Sequence, residues 1–103
     1  MHGLNQKTVD AICAVLEKAG RVEAAVLYGS RAMGTYRNGS DIDLTLKGAH
    51  LDLTTLQRIE IDLDDLMLPY KIDVSLFKDI QNTELLAHIE RVGQVFYKRK
   101  DSA

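Results

Sequence analysis

Four residues near the middle of the chain have the types and spacing of a site for phosphate and a divalent cation. Gly29 and Ser30 follow the apolar run of residues 22–28, where a strand should end and a helix could begin. The first N–H groups of a helix have no acceptor within the helix and suit an anion. After ten intervening residues, Asp41 and Asp43 begin the next β-like run, in which residues i and i+2 project from one face. Two carboxylates so placed repel each other unless a cation lies between them.

A cation site of this kind favours Mg²⁺. Magnesium usually keeps several waters and is held by one or two carboxylates together with the phosphates of its substrate, so the phosphate site and the cation site belong together. A third acid, Asp73, lies in residues 71–77, where polar and apolar side chains alternate. This alternation lets Asp73 share a face with Asp41 and Asp43, and the three carboxylates could then hold two cations about 4 Å apart, as in two-metal phosphoryl transfer.

The arrangement Gly-Ser, ten residues, Asp-x-Asp resembles the signature of the DNA polymerase beta-like nucleotidyltransferase superfamily. With 103 residues, the chain is most similar to the minimal nucleotidyltransferases (MNT), the small partners of HEPN-domain toxins in bacterial and archaeal toxin-antitoxin pairs. The resemblance extends over almost the whole chain, from the helix before the motif to residues 89–93. Asp73 matches the position of the third acidic residue of that family.

This resemblance implies a Mg²⁺-dependent nucleotidyltransferase that moves AMP from ATP to a tyrosine hydroxyl of a cognate HEPN-domain toxin. Asp41 and Asp43 would bridge two Mg²⁺ ions. Asp73 would hold the ion that activates the acceptor hydroxyl and would take its proton. The three aspartates are therefore both the catalytic and the metal-binding candidates.

The nucleotide would be bound by residues on either side of the loop that joins the two motifs. Gly29 and Ser30 are expected to bind the β and γ phosphates, which leave as pyrophosphate. Arg31 is the candidate for neutralising the leaving charge, because its guanidinium group suits phosphate oxygens. Ser40, next to the Asp-x-Asp pair, is a further nucleotide-binding candidate.

Two other functions remain open at this stage. A protein of another class, an antitoxin that neutralises its partner by contact alone, could keep the same carboxylates. Transfer to a small molecule such as an aminoglycoside is the third possibility, although enzymes of that kind usually carry an added domain for the acceptor. Two common nucleotide-binding motifs are absent: the chain has no Gly-x-x-x-x-Gly-Lys-Ser/Thr loop and no Gly-x-Gly-x-x-Gly after a strand.

Composition sets limits on the class of protein. Residues 1–103 are expected to form a single domain with a modest core. The formal net charge of −2 argues against direct nucleic-acid binding, which requires clustered Lys and Arg. No apolar run is long enough to span a bilayer, and the lone Cys13 fits a reducing compartment, so we expect a cytoplasmic protein without membrane contact. Cys13 itself is interpreted as a core residue.

Apolar periodicity predicts an α/β fold: a sandwich with a small mixed β-sheet and flanking helices. Helices are predicted over residues 5–19, 31–35, 52–67 and 83–93, and strands over residues 22–28, 41–47, 71–77 and 95–97. The first helix should be capped by Asn5 or Thr8 and end at Gly20, and the last should be capped by Asn82 or Thr83. Pro69 is expected to end the third helix.

Several other side chains receive an interpretation from their position in these patterns. The last helix is expected to bury Leu85, Leu86, Ile89 and Val92. His2, His50 and His88 lack metal-ligand spacing and are interpreted as surface or capping residues. Tyr28 is interpreted as a packing residue and Tyr36 as an exposed loop residue. Leu53, Ile61 and Leu68 fall outside the main apolar stripe of the third helix, which predicts an interface with a toxin or in a homo- or hetero-oligomer.

Overall fold

The computed structural model describes residues 2–100 of the chain. The helices and strands are α1 (Gln6–Ala19), β1 (Ala24–Tyr28), α2 (Ser30–Met33), β2 (Ile42–Lys47), α3 (Leu53–Asp64), β3 (Ile72–Leu76), α4 (Thr83–Val92) and β4 (Gln94–Lys98). A short 3₁₀ turn, Phe77–Asp79, lies between β3 and α4. The predicted α/β class and the predicted order of elements are confirmed.

The strands form one mixed sheet in the order β3-β2-β1-β4. β1 is antiparallel to both of its neighbours, β2 and β4, whereas β2 and β3 are parallel. The predicted mixed sheet is therefore confirmed, and β1 lies inside it. Because β2 and β3 run the same way, the chain needs a crossover connection between them, and α3 provides it.

The main core lies between one face of the sheet and the helices α1 and α3. Ile12 and Leu16 of α1 meet Ile59 and Leu63 of α3 over the strands. The sheet contributes alternate residues to this core: Ala25, Leu27, Ile42, Leu44 and Leu46. Strict alternation sends the intervening residues, including Asp43, to the opposite face.

The opposite face is only partly covered, and α4 is the helix that contacts it, at β1. Ile89 is buried at 5% exposure, and Val26 of β1 is buried on the same side of the sheet. The prediction that α4 buries four apolar residues is wrong, since Leu85, Leu86 and Val92 remain partly exposed. One short helix is too narrow to cover four strands, and part of this face stays open to solvent.

Helix ends follow the predicted caps with one exception. Asn5 accepts a hydrogen bond from the N–H of Thr8, and Gly20 ends α1 in a left-handed conformation, φ 78°. Asn82 likewise caps α4 by accepting from the N–H of Leu85. The third helix ends at Asp64, however, rather than next to Pro69.

Two apolar residues of α3 face away from the core as predicted. Leu53 is 63% exposed and Ile61 is 58% exposed, whereas Leu68 packs against the core. Among the helices that the structure describes, none is long and apolar enough to cross a membrane.

Candidate active site

The strand register brings two of the predicted acids together. Asp43 of β2 pairs directly with Asp73 of the parallel strand β3. Residues that are paired in register lie on the same face, and neighbouring strands are about 4.8 Å apart. The two carboxylates are therefore neighbours on the open face, as the alternation of both segments predicts. Asp73 is exposed and Asp43 is partly buried.

Asp41 completes an acidic group at the start of β2. It lies one residue before the strand, whose first residue, Ile42, donates its N–H to the carbonyl of Lys71. Burial, followed by repulsion from Asp73 and then from Asp41, raises the pKa of Asp43. His88 and Lys71 partly oppose this rise. The charges of Asp73 and Asp41 thus act on Asp43, which is the situation that a bound cation relieves.

Gly29 is held against Asp43 in a conformation that other residues avoid. Its φ of 75° and ψ of −156° fall in a region that is essentially restricted to glycine. A Cβ atom on Gly29 would lie 2.3 Å from Oδ2 of Asp43, so a side chain would displace that carboxylate. Tyr28, the residue before it, pairs in register with Asp43. The turn and the acidic group therefore lie against each other, and their joint role as one site remains a prediction.

His88 belongs to this site, and its interpretation as a surface or capping residue is wrong. Its Nε2 accepts a hydrogen bond from the N–H of Gly29 at 3.1 Å. Its ring also meets the ring of Tyr28 edge to face, with centroids 6.2 Å apart. The sequence carried a signal: Leu85, His88 and Val92 have helical spacing, which places the histidine on the face of α4 that turns toward the sheet. The other two histidines, His2 and His50, do not contact the acidic group.

Hydroxyl groups form the floor of the site beside the acids. The Oγ of Ser75 lies 3.1 Å from the hydroxyl of Thr45, which is fully buried. The hydroxyl of Tyr28 also makes a hydrogen bond with Ser75. Burial, Asp43 and Asp73 together outweigh that hydrogen bond and raise the pKa of Tyr28. Tyr28 therefore packs as predicted, with its hydroxyl protonated and paired.

Arg31 is a buried side chain of the loop that joins the two motifs. It is 2% exposed, and its three nitrogens donate to the carbonyls of Ser40 and His2 at 3.0–3.1 Å. The guanidinium group also lies 5.3 Å from the ring of Tyr36 and 4.9 Å from the ring of Tyr70. Three of its five N–H groups are thus bound inside the protein, and the neutralisation of a leaving phosphate by Arg31 stays a prediction. Its charge holds together the loop that leads to Asp41.

The loop between Gly29 and Asp41 is built around Ser40. The hydroxyl of Ser40 accepts a hydrogen bond from the N–H of Arg37, and the N–H of Ser40 donates to the carbonyl of Arg37, so residues 37–40 form a turn. Tyr36 is partly buried against Arg31, so its interpretation as an exposed loop residue is wrong. Ser40 thus fixes the approach of the chain to Asp41, and its role toward a nucleotide remains a prediction.

The acidic group fits a magnesium ion bound together with a substrate. Within residues 2–100, no three His, Cys, Asp or Glu side chains are arranged so that they could hold a metal ion by themselves. The donor atoms are nevertheless carboxylate oxygens, the ligands that Mg²⁺ prefers, and their mutual repulsion favours a cation. Substrate phosphates usually provide the remaining ligands of such an ion.

The fold and the paired aspartates beside a glycine turn define a nucleotidyltransferase domain. The chain belongs to the polymerase beta nucleotidyltransferase family, whose family model matches residues 10–102. The resemblance predicted from the two motifs is thereby confirmed for the family. A comparison with curated proteins found no match.

Several solved structures have a similar fold. A toxin-antitoxin structure with AMP-PNP has a TM-score of 0.71 at 20% identity, over 94% of this chain and 76% of that chain. A complex of the tri-AMPylated Shewanella oneidensis HEPN toxin with its MNT antitoxin has a TM-score of 0.68 at 18% identity, over 96% of this chain and 74% of that chain. The toxin-antitoxin complex MntA-HepT also has a TM-score of 0.68 at 18% identity, over 92% and 74% of the two chains.

Proposed function

We propose that the chain is a Mg²⁺-dependent nucleotidyltransferase that acts as an antitoxin in the cytoplasm. It would move AMP from ATP to a tyrosine hydroxyl of a cognate HEPN-domain toxin. The observation that carries the proposal is the in-register pair of Asp43 and Asp73, with Gly29 packed directly against the carboxylate of Asp43. This geometry brings the candidate phosphate site and the candidate metal site into contact.

The acidic residues divide the chemistry among them. Asp41, Asp43 and Asp73 are the residues that would hold magnesium, and the bound metal would supply neutralisation of the charge on the phosphoryl oxygens. Asp73 is exposed, so an acceptor hydroxyl can approach it from solvent and give up its proton there. Gly29 and Ser30 orient the phosphates that leave as pyrophosphate. The buried hydroxyl of Thr45, with Ser75, fixes the strands beneath the acids.

The solved structures with a similar fold support the nucleotide and the partner. One of them contains AMP-PNP, and another contains a tri-AMPylated HEPN toxin. A further structure, with a TM-score of 0.72 at 19% identity, is a variant in which two aspartates two positions apart are replaced by glutamate. This spacing equals that of Asp41 and Asp43.

Transfer of labelled AMP tests the proposal directly. The purified chain is incubated with ATP labelled in the α-phosphate, with Mg²⁺ and with a HEPN-domain protein as the candidate acceptor. We expect label on that protein with the wild type and at least a hundredfold less with Asp43→Ala, since the removal of an electrostatic contact in a transition state costs about that much. Asp64→Ala, at an exposed position of α3, is the matched control and should label normally.

A second set of measurements separates this function from neutralisation by contact alone. Asp41→Asn is tested for binding to the toxin and for protection of cells against it. A variant that binds, transfers no AMP and still protects would establish a contact antitoxin and end the catalytic proposal. If label instead appears on an added aminoglycoside and none appears on the protein, the acceptor is a small molecule.

A further inference from the structure

The N–H of Gly29 is already bound inside the protein. It donates to Nε2 of His88 across a gap of 59 positions in the sequence, at 3.1 Å. A histidine nitrogen accepts a hydrogen bond only through its free lone pair, so this ring carries its proton on Nδ1. The edge-to-face contact with Tyr28 fixes the plane of the ring. His88 is therefore an oriented acceptor at the turn, although it lies on a different element.

A backbone N–H is a single donor and cannot serve two acceptors well. We propose that His88 is a displaceable latch on the nucleotide site. In the free protein, Nε2 of His88 accepts the hydrogen bond from the Gly29 N–H. In the complex, an oxygen of the bound triphosphate accepts that hydrogen bond instead. This inference rests on the proposed function, because it takes Gly29 as part of the phosphate site.

The latch connects the nucleotide to α4. His88 precedes Ile89, the buried residue of that helix, and α4 contacts the open sheet face at β1. When a phosphate oxygen accepts the hydrogen bond from the Gly29 N–H, His88 no longer joins α4 to the turn. The packing of Ile89 against the sheet remains. A ligand that moves His88 away from Gly29 would therefore strengthen nucleotide binding, and by reciprocity the nucleotide would strengthen the binding of that ligand by the same factor.

Removal of the ring should increase the affinity for nucleotide. Binding of a non-hydrolysable ATP analogue with Mg²⁺ is measured by titration calorimetry for the wild type and for His88→Ala. We expect the variant to bind about two- to tenfold more tightly, the range that one net hydrogen bond gives. Tighter binding of His88→Ala, without tighter binding of an uncharged variant that keeps an acceptor at this position, therefore reports the latch.

Two variants serve as controls. Glutamine can place an acceptor oxygen about as far along the side chain as Nε2, so His88→Gln should restore an affinity near that of the wild type. His50→Ala removes an exposed histidine far from the site and should leave the affinity unchanged. In the wild type, the ¹⁵N resonance of His88 Nε2 and the amide resonance of Gly29 should shift together on titration with the analogue.

Each outcome decides between the two proposals. If the wild type binds the analogue and His88→Ala binds it equally or more weakly, the latch is wrong and the proposed function stands. If neither the wild type nor any variant binds the analogue, the proposed function is wrong and the latch is wrong with it. If the Gly29 amide shifts while the His88 ring nitrogen does not, the two groups separate by another route and the latch is again overturned.

Discussion

At Asp43, burial and the two neighbouring carboxylates act on the pKa in the same direction. Burial, Asp73 and Asp41 raise its pKa, so the folded protein binds this proton more tightly than the unfolded chain does. The metal-free protein should therefore lose stability as the pH rises from the ordinary aspartate value of 3.8 through the raised pKa of Asp43. We predict that Asp43→Asn lacks this loss and is more stable than the wild type at pH 7 in the presence of EDTA.

Urea unfolding at a series of pH values measures this effect as a difference between wild type and variant. Asp64→Asn, which changes an exposed aspartate, is the control and should follow the wild type at every pH. A wild type that is as stable as Asp43→Asn at pH 7 would mean that the three carboxylates do not act on one another in the free protein.

Position 29 should not tolerate a side chain. Alanine at this position must adopt a conformation that costs on the order of 1–3 kcal/mol, and its Cβ must also displace the carboxylate of Asp43. We expect Gly29→Ala to lower the free energy of unfolding and to abolish AMP transfer. Gly34→Ala is the matched control, since Gly34 also has a positive φ but open space around it. It should lose stability and keep its activity, and equal activity losses in the two variants would contradict the prediction.

The residues of the site differ in how far the sequence could predict them. Gly29, Asp43 and Asp73 were predictable because strand alternation and a glycine turn are local properties. The position of Arg31 was not, since its burial depends on carbonyls of His2 and of the loop before β2, which only the folded chain brings together. The contact of His88 with Gly29 depends in the same way on how α4 crosses the sheet.

Among the elements, α4 is held by few interactions. It buries Ile89, and its first turn depends on the side chain of Asn82, which accepts the N–H of Leu85 at 3.0 Å. We predict that Asn82→Ala costs about 1 kcal/mol and that the loss is local to α4. Hydrogen exchange of the α4 amides and of the Gly29 amide should become faster. For the slowest amides of α1, the free energy of exchange should fall by no more than the free energy of unfolding does.

The control for this prediction keeps the cap. Asn82→Ser retains a side-chain oxygen at the start of α4 and should exchange almost as the wild type does. Uniform acceleration throughout α1 and α4 in Asn82→Ala would show that α4 does not open separately from the rest of the fold and would contradict the prediction.

For the helices and strands, the sequence predicted which of them exist better than where they end. The apolar stripe of α1 and the alternation of β2 and β3 depend on neighbouring residues and were predicted closely. The end of α3 was placed too late, because the chain leaves the helix near Asp65 and turns at Met67, which has a φ of 56°. Pro69 marked a place beyond which the helix could not continue, and the helix ended earlier.

For the whole molecule, the important division is between the two faces of the sheet. One face is closed by α1 and α3 and contains most of the apolar core. The other carries the acids, the hydroxyls and the incompletely covered helix α4. The alternation of each strand predicted this division, whereas the amount of open surface depends on the position of a single short helix. An acceptor as large as a protein can therefore approach the acids without any rearrangement of the main core.

Magnesium and nucleotide together should stabilise the whole domain. Substrate phosphates usually complete the coordination of a Mg²⁺ ion held by one or two carboxylates, so each ligand should strengthen the binding of the other. Ligands that bind only the native state at about 100 times their Kd add about 2.7 kcal/mol, which corresponds to a rise in Tm on the order of 10 °C for a domain of this size. We predict that Mg²⁺ with a non-hydrolysable ATP analogue raises the Tm by more than the sum of the two separate effects, and that Asp43→Asn loses this excess. An additive response in the wild type, measured by thermal unfolding, would show that the cation and the phosphates bind apart.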